Sequence, residues 1–293
     1  MDTVQALMEG LFNAALVIMI VATMFNAGLT TTTKALGSVF KNWVLVILVL
    51  FTAFILRPLV GWGLSAILGL GAASYTVMLL LASVPGAPLG VKFAMGAKAD
   101  LTVAAALQVI LAVIGTFTFA PTANALIGAA GLGDDFALPV ADLILTVAVL
   151  QIIPFIVGMA VRHWSANTAL KWRPPVAQTA NITLLIVIVL ALLGSFRIIL
   201  DMLGDMAILA HALFVVIMFA LGYFISRGDG SVRRATGSIQ IGSNSGPTFA
   251  AIALAFDNDP EILGVAVALI FTQIVVGTLV SSWSGRNEAE EEA

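Results

Sequence analysis

Two long apolar stretches of this chain are interrupted mid-span by proline and glycine, at Pro85-Gly86-Ala87-Pro88-Leu89-Gly90 and at Gly242-Ser243-Asn244-Ser245-Gly246-Pro247. Proline removes a backbone donor and clashes with the preceding turn, and glycine weakens a helix interior. Lipid cannot satisfy the peptide groups so freed, so breaks of this kind persist at membrane depth only inside protein or beside a watery cavity. Two interrupted spans in corresponding places are the sequence pointer to a transporter's binding site. The helix-break residues are Pro85, Gly86, Gly242, Gly246 and Pro247.

Composition agrees with a membrane chain. Of 293 residues, 60% are hydrophobic and only 10% charged, against about 25% charged in soluble domains. Apolar runs near 20 residues recur from end to end, each long enough to cross a hydrocarbon layer of about 30 Å. The absence of cysteine excludes disulfides and thiolate chemistry, and the two histidines, His163 and His211, lack a metal-site setting. No cofactor, metal or nucleic-acid partner is expected, and no enzymatic nucleophile with its base is seen. The first span lacks a basic flank and a cleavage pattern and reads as a retained helix.

Turn signals divide the chain into nine segments: 5–30, 37–68, 73–98, 100–126, 136–164, 173–198, 202–227, 230–256 and 260–284. The second is long, holds Arg57-Pro58 and is expected to be kinked or tilted. Gly128 to Gly133 and Lys171 to Pro175 read as loops. Odd loops carry Lys34, Lys41, Lys98, Arg162, Lys171, Arg173, Arg227, Arg233 and Arg234, whereas even loops carry Asp134, Asp135, Asp257, Asp259 and Glu261. The sixth mixes Arg197 with Asp201 and Asp205. Basic residues mark cytoplasmic loops, so the N-terminus is expected outside and the C-terminus inside a cell (plasma or inner) membrane. The broken third and eighth spans lie five helices apart, an odd offset that inverts their orientation. The expected architecture is an all-α membrane protein of nine spans with an inverted repeat and two crossing discontinuous helices. One transmembrane unit covers 1–287, comprising a first repeat (5–126), a linking helix (136–164) and a second repeat (173–284). A disordered acidic cytoplasmic tail, 288–293, follows.

Each break creates a half-helix N-terminus carrying roughly +0.5 of an elementary charge, a natural seat for an anion. Lys92 lies in the first turn after the first break. A lysine at bilayer centre costs about 2.5–3.5 kcal/mol, so Lys92 either binds substrate carboxylate, replaces a coupling cation, or snorkels to water. Gln240, Ser243, Asn244, Ser245 and Thr248 either line a site or glue helices together. Arg57 either faces the cavity or snorkels. Gln108 and Gln273 either line a cavity or tie helices, while Asp100, Asp142 and Asp205 lie near helix starts, where capping or a favourable dipole interaction accounts for them. The expected substrate site is Pro88, Leu89, Gly90, Lys92, Asn244 and Ser245. The expected ion-coupling set is Lys92, Gln240, Ser243 and Gln108.

Six motifs in order resemble the bile acid:sodium symporter family, of bacterial or archaeal type. They are Met24 to Leu29, Arg57-Pro58-Leu59, Ser83 to Gly86, Gly96 to Lys98 with Asp100, Pro154 and Gly158 followed by Arg162, and Ile239 to Gly246. The resemblance implies a core domain with two crossing broken helices, a panel domain moving against it, and carriage of bile acids or other organic anions, often with sodium. Where the family has sodium-binding side chains, this sequence has Gly90, Val91 and Ala53, which offer no side-chain oxygen. The family glutamate falls on Gln240, and its next glutamine on Asn244 or Ser243. One or both sodium sites are therefore expected to be degraded. The expectation is a secondary transporter of a small organic anion, bile acid-like or monocarboxylate-type, working by alternating access in the lipid bilayer. The alternative is a transport-inactive sensor or receptor that keeps the fold.

Overall fold

The computed structural model describes residues 2–201 and 206–291, with side chains described outside 2–6, Glu9, Leu192, 194–201 and 287–291. The described residues are predominantly helical and form no strands. In chain order the helices are α1 (Asp2–Thr30), α2 (Thr33–Lys41), α3 (Trp43–Phe51), α4 (Arg57–Ile67), α5 (Ala72–Ser83), α6 (Pro88–Gly96) and α7 (Leu101–Ala129). They continue as α8 (Val140–Val147), α9 (Ile153–Trp164), α10 (Ala166–Asp201), α11 (Ala207–Ile225), α12 (Gly230–Ile241), α13 (Ser245–Phe256) and α14 (Pro260–Glu291). Among the described residues, seven helical segments are long and apolar enough to cross a membrane. The segments expected over 73–98 and 230–256 are each two short helices, α5–α6 and α12–α13, separated by non-helical backbone.

Turn chemistry sets the helix ends. Asp100 accepts from the amides of Thr102 and Val103 to cap α7, Asp229 caps α12 through Val232, and Asp259 accepts from Glu261 and Ile262 at the start of α14. These carboxylates fill orphan donors of first turns. Asp205 and the side chains of Arg197 and Asp201 lie outside the described residues.

Several boundaries differ from expectation. The segment 37–68 is not one kinked helix: Asn42 ends α2 and caps α3 by accepting from Leu45. The kink is a π turn, Thr52–Leu56, immediately before Arg57-Pro58. A second π turn, Ala148–Ile152, precedes Ile153-Pro154 in the same way. In both places proline supplies no donor to the carbonyl one turn earlier, and a wider turn makes room for its ring. The loop expected at Lys171 to Pro175 is instead part of α10, which continues through Pro174 and Pro175. Residues 171–175 lie on the outer surface, so the carbonyls left without donors at Leu170 and Lys171 do not force the helix to stop. The stretch expected as a disordered tail continues α14 to Glu291, in keeping with the helix propensity of Ala and Glu; residues 292–293 lie outside the described set.

Packing separates enclosed from lipid-facing helices. Every residue from Ser74 to Ser83 of α5 is buried, as befits a helix apolar on all sides, and Val77 to Ala82 join Phe214 of α11 and Val265 to Ile270 of α14 in the main apolar cluster. Leu145, Leu185, Phe224 and Leu279 point outward. The helix α1 packs on α9 and α10. Where α1 meets α9, Gly28 and Gly158 face each other so closely that a Cβ on either would run into the other's backbone, the small-residue contact typical of membrane helices.

This contact yields a prediction. Gly158→Leu should destabilise the protein by about 1–3 kcal/mol or more through overpacking, whereas Gly10→Ala, with open space around it, should be neutral or slightly stabilising. Thermal unfolding of purified protein in detergent measures both.

Candidate functional site

The two interruptions meet. Backbone leaves the helix at Val84 to Ala87 and at Gly242 to Asn244. Pro85 and Ser243 form an isolated antiparallel bridge, and the Asn244 amide donates to the Val84 carbonyl at 2.9 Å. Each break therefore supplies partners for the other's peptide groups. The breaks are shorter than the sequence motifs: Gly90, Gly246 and Pro247 already lie within the resuming helices, where proline is compatible with a first turn.

Neighbouring helices hold the breaks from behind. Gly86 has φ +89°, and a Cβ there would meet the backbone of Ala112 on α7, so only glycine fits this approach. Gln108 of α7 donates to the Gly86 carbonyl at 3.4 Å. Gln273 of α14 accepts from the Ser243 amide at 3.0 Å, and Gln151 of the second π turn accepts from the Asn244 side chain at 2.9 Å. The Gln240 side chain donates to the Val49 carbonyl at 3.0 Å. Of the two amides left open between lining and tying, Gln273 is a helix tie, while Gln108 both ties α7 to the first break and lines a second, small cavity with Gln151.

Arg57 neither snorkels nor lines the cavity. It is fully buried, donating through Nη1 to the Gln240 carbonyl and through Nη2 to the Leu81 carbonyl at 3.1 Å and to Ser243 Oγ. Its Cζ stands 5.1 Å from the centre of the Phe214 ring. Both carbonyls belong to the last turns of α5 and α12, which lack intrahelical partners because those helices stop.

In front of the breaks lies an open cavity of about 130 Å³. Pro88 and Leu89 of α6 and Asn244, Ser245 and Gly246 at the start of α13 line it, facing α1 and α10. Neither half-helix N-terminus is capped by a side chain; the Asn244 amide group is instead engaged with Gln151. Lys92 borders the same cavity and donates from Nζ to Asn181 Oδ1 of α10 at 3.1 Å. Five of the six expected substrate residues, all but Gly90, thus share one wall. Gly90 packs against Ile239, where α6 passes α12. The expected coupling residues divide: Lys92 and Ser243 reach the cavity, while Gln240 and Gln108 lie behind it.

Sequence reasoning missed Asn181 and Gln151, and it left the place of Arg57 open between two alternatives that both prove wrong. An amide inside an apolar span was the available signal for the first two, and the Arg-Pro pair for the third. Among the described residues, no group of three or more His, Cys, Asp or Glu is placed to hold a metal ion.

Apolar helices of spanning length around a largely apolar cavity at two meeting helix breaks fit the architecture of a multi-pass membrane transporter. The profile of the Sodium Bile acid symporter family matches residues 17–227, more than two thirds of the chain, and the protein belongs to that family. At family level this makes it a transporter of the sodium-coupled bile acid symporter type. The second interrupted segment, 230–256, lies beyond the matched stretch. No curated protein matches the chain significantly.

The tie between Asn244 and Gln151 is testable by a double-mutant cycle. Asn244→Ala or Gln151→Ala should each cost about 1–3 kcal/mol by leaving a buried partner unpaired. Thermal unfolding of the double variant should fall short of the sum by about 1 kcal/mol.

Proposed function

We propose that this protein is a secondary transporter of a compact organic anion, which binds with its carboxylate at the uncapped N-termini of α6 and α13. One observation carries this reading: two half-helix N-termini and the ammonium of Lys92 converge on one cavity. Dipole ends of that sign favour anions, and a lysine adds a charge-assisted donor. Pro88, Leu89 and Ser245 form the contact wall, with Asn244 fixing the start of α13. Of the roles open to Lys92, its place opposite Asn181 supports contact with substrate. The cavity is smaller than the roughly 300–1,000 Å³ of clefts that enclose drug-sized ligands, which favours a monocarboxylate-type solute over a steroid.

The transport cycle we infer is alternating access. In this cycle seven long helices and two interrupted pairs are taken as nine crossings related as an inverted repeat, and the basic loops support a cytoplasmic C-terminus. The mutually packed helices α1, α8–α9 and α10 form the panel, and the remaining helices form the core that carries the breaks. Because the cavity wall draws on both groups, relative motion changes access to it. Gly90, Val91 and Ala53 offer no side-chain oxygen, which supports loss of the family's sodium ligands at those positions. No bond is made or broken in this cycle, so no enzymatic activity is assigned.

A thermal-shift screen of carboxylates on wild type and Lys92→Ala, followed by uptake into proteoliposomes, tests the reading. A true substrate at a hundredfold excess over its dissociation constant should stabilise wild type by about 2.7 kcal/mol. Lys92→Ala should bind it about 10–100-fold more weakly, the range for a hydrogen bond to a charged group. Identical profiles for the two proteins would remove Lys92 from the site, and binding without uptake would favour a receptor.

A further inference from the structure

A guanidinium buried this completely needs a counterpart, since an uncompensated charge inside protein is strongly disfavoured. The acceptors of Arg57 are two backbone carbonyls and a hydroxyl, and neither 72–96 nor 230–256 contains an aspartate or glutamate. What balances the charge is the pair of last turns. The carbonyls of Leu81 and Gln240 are the negative dipole ends of α5 and α12, brought together because both helices stop at the same place. Ser243 adds an oxygen from within the second break, and the Phe214 face lies alongside. Convergent carbonyl and hydroxyl oxygens are the ligand type that hard metal cations use. Here a side chain already occupies them.

We propose that Arg57 is a tethered cation that takes, where the two breaks meet, the place a bound metal cation would fill, and that it makes this protein independent of sodium. The electrostatic claim stands on the contacts alone; only its consequence for coupling rests on the transporter reading. A second cation about 4 Å from the guanidinium would bind about a thousandfold more weakly at an effective dielectric near 20. Arg57 is thus a positioning residue: it reaches the solute only through the geometry of the breaks. The fixed charge cannot leave with the solute, so the half-helices keep their meeting point through the whole cycle.

The test needs no substrate, so it is separable from the identity of the transported anion. Melting midpoints of the wild type in about 150 mM sodium, potassium and choline chloride should agree within about 1 °C. Arg57→Ala should melt about 5 °C or more lower, and about 20 mM guanidinium, far below its molar denaturing range, should restore part of that loss in the variant and none in the wild type. Arg57→Lys should fall between the two. A saturable, sodium-specific stabilisation of the wild type would overturn the proposal, as would an Arg57→Ala midpoint equal to wild type. A loss that neither guanidinium nor Arg57→Lys recovers would also overturn it, leaving a purely space-filling arginine. If Arg57→Ala does not fold, the sodium comparison on wild type and the Arg57→Lys midpoint decide. Failure of the anion screen would leave these outcomes untouched.

Discussion

Peptide groups that have left a helix within a membrane must find partners, and here two sets of them find each other. The bond from the Asn244 amide to the Val84 carbonyl, with the bridge between Pro85 and Ser243 beside it, lets both α5–α6 and α12–α13 be interrupted at the same place. Either break alone would expose donors and acceptors to an apolar interior at a cost of several kcal/mol per group. Together, and with amides from α7, the second π turn and α14 behind them, they become a small polar island within an apolar bundle. The enclosure of α5 on all sides follows, because the island must be shielded from lipid.

The same meeting sorts charge. Helix C-termini turn towards Arg57 and helix N-termini towards the cavity, so the negative dipole ends are closed by a side chain while the positive ends stay open. This asymmetry is what supports the proposed solute site over a purely structural knot. It also explains how the cationic side chains nearest the breaks are accommodated: Arg57 is neutralised from within, and Lys92 extends over the cavity to Asn181.

What was readable from the amino acids was the chemistry of interruption. Proline and glycine cannot be disguised in an apolar run, so both breaks could be placed before any coordinates, together with Pro88, Leu89, Lys92 and Ser245, which border the cavity. The less readable parts depend on contacts distant in the chain. Arg57 meets Gln240 across 183 positions, and nothing local distinguishes an arginine that snorkels from one that is swallowed by two helix ends. Asn181 and Gln151 look like packing amides until their partners are known. The prolines of α10 misled for the opposite reason: a local rule for stopping a helix yields where the freed carbonyls face outward. Asn42 shows the reverse case, a single capping residue dividing what hydropathy alone reads as one span.

Those α10 prolines have a mechanical meaning. With no donors for Leu170 and Lys171, the helix lacks two of its bonds at that level, a known cause of bending; Lys171 lies ten residues before Asn181 and so about 15 Å away along the axis. A bend of about 10° there would swing Asn181 by about 2.6 Å over that lever arm, enough to part it from the lysine it touches. On the proposed reading of the cavity as a solute chamber, that end of α10 would act as a tiller for its lip, steering the contact between Asn181 and Lys92 from a distance.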